Sequence, residues 1–263
     1  MAFSRQIPRA PGNASRSVAR KTEILAPLCQ SESRASSQIM QSLEQLRLEL
    51  EDVQEDLKGI PLNTPDIRVG DFGCGQGYTT LSLMLVLHAA ECFGIDKFSG
   101  QMLSPSLQEV QRRFDEIKST VLSSLDDSSI DSLSKEILIL LNNNRWPLFR
   151  QNDILKGSDL PNDLDLVYCK RLLGPIYDGE DGNPIRGDAA VKLAIDNIAG
   201  SIRNGGLFCL VERSAKDFSL YLEQAHLAYL RICHIRYGDI GLQGRLTSSS
   251  GICHYVVYFY KKT

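Results

Sequence analysis

A strand that runs into three alternating glycines and then directly into a helix is the feature that most constrains this chain. Residues 67–72 read as an apolar-leaning strand carrying an acid, Asp71, near its end. Glycine follows at Gly73, Gly75 and Gly77, and the apolar run 78–87 reads as a helix. A second short strand, 91–95, then delivers Asp96. A chain leaving a parallel strand and turning straight into a helix must take positive φ values, which glycine adopts at little steric cost. The pattern therefore specifies the first strand–helix–strand unit of a parallel, nucleotide-binding sheet. Without side chains the turn also lets a ligand approach the backbone, and the helix N-terminus behind it favours a carboxylate or phosphate. Asp96 is placed to accept hydrogen bonds from both hydroxyls of a ribose, each worth roughly 1.5–3 kcal/mol.

The dinucleotide fingerprint G-x-G-x-x-G, read from Gly73, would need glycine at position 78, where tyrosine stands. What the chain carries is acid-x-G-x-G-x-G, from Asp71 to Gly77. It resembles motif I of the class I S-adenosylmethionine-dependent methyltransferases. The resemblance implies a Rossmann-like α/β fold of three layers. Its mostly parallel seven-stranded sheet has an antiparallel last strand, and an N-terminal helix and a helical insertion are added here. It further implies that Asp71, Gly73, Cys74, Gly75 and Gly77 line S-adenosylmethionine, that Asp96 holds the ribose, and that Lys97 lies beside it.

Composition sets the outer limits. A length of 263 residues allows one large domain, or one domain with an appendage. With 43% apolar and 23% charged residues the chain falls in the globular class rather than the disordered one. A formal charge of −3 supplies no global footprint for nucleic acid, which argues against such a partner without closing out a local basic groove. No apolar run reaches the roughly 18–20 residues of a membrane span. The seven cysteines are odd in number and form no C-x-x-C pair, so a disulfide framework or zinc site is disfavoured. A reducing, cytoplasmic compartment is expected.

Residues 1–35 are expected to be a disordered basic tail. Arg5, Arg9, Arg16, Arg20 and Lys21 occur in residues 1–22 with no acid among them. An organelle import signal has that composition too, but Pro8, Pro11 and Gly12 interrupt any helical face. The spacing of Ile39, Leu43, Leu46, Leu50, Val53 and Leu57 predicts a helix over 36–57, in an N-terminal segment 36–62, with an acidic outer face of Glu44, Glu49, Glu51, Asp52, Glu55 and Asp56. Its stripe suits packing within the monomer, with coiled-coil dimerisation as the alternative.

The catalytic domain is expected over 63–263, with an insertion over about 100–147 between the second and third strands. Leu103, Leu107, Val110, Phe114, Ile117 and Val121 predict one long helix there, over 103–121, and 132–141 predicts another. The insertion is expected to cover the strand ends and shape the substrate pocket, or to serve as an oligomer contact. Strand three is read at 148–151, strand four at 164–169 and strand five at 207–211. The Arg203-Asn204-Gly205-Gly206 turn before strand five also resembles the family's pattern. A loop over 174–188 and helices over 189–202 and 215–229 complete the α/β alternation. The last two strands are expected at 232–237 and 252–260, joined by 238–251.

By the same resemblance Asp153 would hydrogen-bond the adenine amino group and Ile154 would pack on its ring. Ligands sit outside the carboxyl ends of parallel strands, so Tyr168, Cys169, Lys170 and Arg171 become candidates for touching cofactor or acceptor. Tyr168, Lys170 and Arg171 are the weak catalytic candidates, Lys170 and Arg171 as groups orienting an acidic substrate. Tyr177 is a further candidate wall. The four histidines, His88, His226, His234 and His254, and the single Trp146 read as structural. No His/Asp/Glu cluster points to a metal. Nothing after strand four matches the Asp/Asn-Pro-Pro-Tyr/Phe element of the base-methylating relatives. The expected activity is direct methyl transfer to an oxygen or nitrogen of a small molecule. The alternatives are a protein or RNA methyltransferase using the basic tail as a tether, or a non-catalytic binding subunit with helices 36–57 or 103–121 as its interface.

Overall fold

The computed structural model describes residues 37–60, 62, 66–101, 104–123, 131–179, 184–213, 218–237 and 254–263. The expected basic tail, 1–35, lies outside them. The chain divides into two units, Met1–Ser42 and Leu43–Thr263, so the boundary falls inside the predicted first helix. In the first unit residues 37–42 are helical. The second unit opens with helix α1, residues 43–56.

The strands are β1 (Arg68–Phe72), β2 (Glu91–Asp96), the short β3 (Ser99–Gln101) and β4 (Ser104–Ser106), β5 (Leu148–Gln151), β6 (Leu164–Lys170), β7 (Ile202–Arg213), β8 (Leu227–Tyr237) and β9 (His254–Lys262). The helices after α1 are α2 (Tyr78–Leu87), α3 (Leu107–Ser123), α4 (Ser132–Asn142), α5 (Leu173–Asp178), α6 (Gly187–Ser201) and α7 (Ser219–Gln224). Seven strands form one sheet in the order β5-β2-β1-β6-β7-β9-β8. The first five run parallel, and β9 is antiparallel to both of its neighbours. This is the Rossmann-like sheet that the glycine turn implies. Its strand order reverses beside β1, the place where such sheets bind ligands.

Period-two alternation sends neighbouring strand residues to opposite faces. One face carries Val69, Leu166, Tyr168 and Cys209, packed against Leu46 and Val53 of α1, Leu81 of α2, Phe114 and Ile117 of α3 and Ile137 of α4. The other carries Phe72, Ile95 and Val167, packed against Ile176 of α5, Ala194 and Ile198 of α6 and Leu222 of α7. Three layers result. The apolar stripes of α1 and α3, weighed above as an interface, are thus used inside this chain's own core.

Several expectations need correction. Residues 174–188 are not all loop, because Leu173–Asp178 forms α5, closed by Gly179 at φ 73. Pro175 is tolerated there because the first turn of a helix has no use for its N–H. The predicted helix 215–229 shrinks to α7, and Leu227, Ala228 and Tyr229 instead join β8, paired with Lys262, Lys261 and Tyr260. Sheet pairing there overrides local helical propensity. The Arg203–Gly206 turn survives only as an irregularity inside β7, where the pairing with β6 jumps from Leu164–Ile202 to Leu166–Leu207. Finally, α4 does not cover the strand ends. It packs in the α2–α3 layer, and just beyond its end Arg145 Nη1 donates to the His88 carbonyl, 2.9 Å away, at the end of α2 remote from the glycine turn. His88 is exposed beyond α2 rather than buried within it. The insertion's hairpin β3–β4 follows Asp96 closely, so 104–106, expected as the start of helix 103–121, is strand instead; Leu103, residues 124–130 and the 238–251 connection lie outside the described residues.

Candidate functional site

The turn between β1 and α2 takes positive φ at all three glycines: 81° at Gly73, 52° at Gly75 and 84° at Gly77. It is tied to β2 rather than left free. The Gly73 and Cys74 amides both donate to the Ile95 carbonyl, at 2.8 and 3.2 Å. The Gly75 amide donates to Asp96 Oδ2 at 2.9 Å. The acid closing β2 therefore points at the glycine turn, and Phe98 N adds a longer bond of 3.4 Å to its other oxygen. A Cβ on Gly75 would meet nothing within 4 Å, so the turn presents an open face at that residue. Arg113 of α3 clasps the far side, donating to the Gln76 carbonyl at 3.2 Å and lying over the Tyr78 ring.

Asp71 lies beneath the turn, not on its open side. It is buried and accepts a 2.7 Å hydrogen bond from Thr80 Oγ1. Burial, opposed by the Thr80 bond and reinforced by Glu49, raises its pKa from 3.8 to about 7. Cys74 and Cys169 are also buried, and burial first, then the Asp71 charge, pushes both thiols well above their usual range. Both stay protonated at neutral pH, so neither is a thiolate nucleophile.

At the β5 end, Asp153 Oδ1 accepts the Leu155 amide at 3.0 Å, and Lys97 Nζ approaches its Oδ2 at 3.8 Å. Lys97 and Asp153 thus bridge the ends of β2 and β5. Ile154 is buried with Leu155 and Ile95 in the core of the α6 face. Its carbonyl is held by Asn197 Nδ2 at 2.7 Å.

The sequence reading missed the polar groups that α1 turns inward. Lys170 Nζ, at the end of β6, donates to Glu49 Oε2 at 2.8 Å and Asp52 Oδ2 at 3.0 Å. Thr79, at the start of α2, donates to the same Glu49 oxygen at 3.2 Å. Tyr168 is fully buried, and its hydroxyl donates to the equally buried Asp56 at 2.6 Å. Half of the expected outer acidic face, Glu49, Asp52 and Asp56, therefore faces β6 and α2. Burial alone would lower the Lys170 pKa, but Glu49 and then Asp52 outweigh it and raise it above its usual range. For Tyr168, burial and then Asp56 raise the phenol well above 10.0. A legible signal existed: acids at spacings of three and four share one helical face, beside the apolar stripe.

Arg171, the next candidate, leaves β6 in a left-handed conformation at φ 57 and donates its amide to the Val211 carbonyl. Close by, the buried Glu212 Oε1 accepts the Leu173 amide at 2.7 Å and the Gly174 amide at 3.3 Å. That carboxylate caps α5, a second group the sequence reading did not single out. Tyr177 stands apart, with its ring 6.5 Å from that of Phe218. Trp146 packs edge-on against Phe114. Among the described residues, no group of three His, Cys, Asp or Glu side chains is arranged to hold a metal ion. No described helix is long and apolar enough to cross a membrane.

No family model matches the sequence, and no curated protein does. Several solved structures are similar to it. The N-methyltransferase NodS from Bradyrhizobium japonicum is 13% identical over 84% of this chain and 96% of its own, with a TM-score of 0.44. The 1,6-didemethyltoxoflavin-N1-methyltransferase from Burkholderia thailandensis is 12% identical over 98% and 93%, with a TM-score of 0.45. A TehB-like S-adenosylmethionine-dependent methyltransferase from Corynebacterium glutamicum is 13% identical over 86% and 99%, also at 0.45. At such distances the fold assignment rests on this chain's own strand order and glycine turn.

Proposed function

We propose that this chain binds S-adenosylmethionine across the carboxyl ends of β1, β2 and β6 and transfers its methyl group to an oxygen or nitrogen of a small molecule by direct displacement. The observation that carries the reading is the convergence of the open Gly75 face and the Asp96 carboxylate, joined by the 2.9 Å bond between them. A nucleoside needs a backbone surface without side chains and a fixed acceptor for its sugar hydroxyls, and the two stand side by side here.

Bound there, the cofactor would supply an electrophilic methyl on a sulfonium sulfur. The chain's part is to hold partners in line, which can supply roughly 7–11 kcal/mol of the barrier without a dedicated base. Asp96 would fix the ribose. Lys97 and Asp153 stand at the β5 side, where the base would lie. The protonated Cys74 and Cys169 offer no competing nucleophile to the methyl group. The α1 helix lies over the end of β6, which favours an enclosed acceptor over a long polymer, and the missing Asp/Asn-Pro-Pro element at 169–172 agrees with this.

Calorimetry tests the reading directly. S-adenosylhomocysteine is expected to bind and NADH to give no heat; the reverse pattern would remove the cofactor assignment. Asp96→Ala is expected to weaken S-adenosylhomocysteine binding about tenfold or more, the worth of a lost hydrogen bond to a charged acceptor. An unchanged affinity would refute the ribose role.

A further inference from the structure

We propose that Lys170 is a positioning residue, which acts on the reaction through α1 by holding that helix as the roof of the cleft. The inference deepens the cofactor reading above and rests on it for its ligand half.

The geometry joins three elements at one carboxylate. Glu49 of α1 receives Lys170 from β6 and Thr79 from α2, and Thr79 follows the glycine turn closely. The Lys170 and Glu49 side chains are each only 16% exposed, and Asp52 completes the pairing from the next turn of α1. Two residues earlier on the strand, Tyr168 repeats the arrangement with Asp56. Residues 168 and 170 share a strand face, and residues 49, 52 and 56 share a helix face. The two periodicities mesh as a polar zipper between helix and strand.

Stability alone does not call for it. Leu46 and Val53 of α1 are already completely buried, and Leu43 and Leu50 pack partly buried on the same core. Replacing buried ion pairs by apolar side chains is often neutral or stabilising, whereas paired charges fix one register. Turning α1 by one residue, about 100°, would break every one of these bonds together and carry Leu46 and Val53 out of the core. The zipper and the apolar stripe therefore fix together where the helix lies over the strand ends, and the zipper ties that position to the end of β6. It also commits the Lys170 charge to two carboxylates of the chain itself, which leaves an acidic acceptor no claim on it.

Hydrogen–deuterium exchange and calorimetry on the full chain test this together. Lys170→Met is expected to speed amide exchange across residues 43–56 about tenfold or more and to weaken S-adenosylhomocysteine binding to a similar degree. Exchange in α6, on the opposite face, should not change. Lys170→Arg should restore both properties in large part. Glu49→Gln combined with Asp52→Asn reaches the same contact from the helix side and should reproduce the Lys170→Met result. Lost affinity with unchanged exchange would mean that Lys170 touches the ligand, and would overturn the proposal. Faster exchange with full affinity would show that α1 is no roof, and general loosening that includes α6 would reduce Lys170 to a stability residue; either result overturns it. Wild-type protein that does not bind S-adenosylhomocysteine would sink the cofactor reading and the ligand half with it, while the exchange comparison would still decide whether Lys170 fixes α1.

Discussion

Asp71→Asn is expected to stabilise the protein by about 4 kcal/mol at pH 8 and to change it little near pH 4, the difference following from about 1.36 kcal/mol per pKa unit. The carboxyl group is buried and has one short partner, Thr80 Oγ1. Burial raises its pKa from 3.8 to about 7. The folded protein therefore keeps a proton that the unfolded chain releases above pH 3.8. Between those values the native state binds more protons, so stability falls as pH rises and the loss is complete above about pH 7. An asparagine has no proton to lose, and its amide oxygen can still accept the Thr80 hydroxyl. Urea unfolding of both proteins at pH 4.5 and pH 8, followed by circular dichroism, reads the difference. A gap between wild type and variant that does not depend on pH would refute the burial argument.

The strain has a functional setting. After burial and Thr80, the charges acting on Asp71 are Glu49, Lys170 and Asp96, which belong to the roof, the end of β6 and the end of β2. The buried acid thus lies in the field of the groups that build the proposed cleft. Any change that lifts α1 away, such as Lys170→Met, alters that field as well as the geometry.

How much of this the sequence could reveal depends on how far apart the interacting residues lie. The glycine turn, β1, β2 and Asp96 were legible because their constraints are local: positive φ within five residues, then a strand ending in an acid. The mostly parallel seven-stranded sheet with its antiparallel last strand was implied by the resemblance that the turn carries, not by spacing alone. The roof was not legible. A run of acids on a helix normally faces water, and the cation that draws Glu49 inward lies 121 positions further on. The cap of α5 failed for the same reason, since Glu212 is 39 positions from the amide it accepts. At 227–229 the local pattern spoke for helix, and only the ladder with β9 makes those residues strand. The insertion is a mixed case. Its α3 helix was readable from period except at its start, where 104–106 pairs with 99–101 as strand, whereas the placement of α4 along α2 depends on contacts no short window contains.

Gly77→Ala is expected to destabilise the fold by about 3 kcal/mol, adding a left-handed backbone penalty of about 1–2 to an overpacking cost of 1–3 kcal/mol. Gly77 sits at φ 84, and a Cβ there would lie 2.7 Å from the Phe149 ring and 3.0 Å from Phe114. Those two rings are packed edge to face at 4.8 Å, so neither can yield easily. Gly75 makes the informative contrast. Its φ of 52 is left-handed too, but a Cβ would meet nothing within 4 Å. Gly75→Ala should therefore cost only about 1 kcal/mol of stability. It keeps the amide that binds Asp96, yet places a methyl group on the open face where the cofactor is proposed to rest. The two variants should consequently separate fold from function. Thermal melts should show the larger loss for Gly77→Ala. Calorimetry of Gly75→Ala at a temperature where it remains folded should show S-adenosylhomocysteine affinity reduced about tenfold or more, the effect of crowding a filled site. Full affinity in Gly75→Ala would mean that no ligand lies against this turn, and the cofactor would have to be sought elsewhere on the sheet.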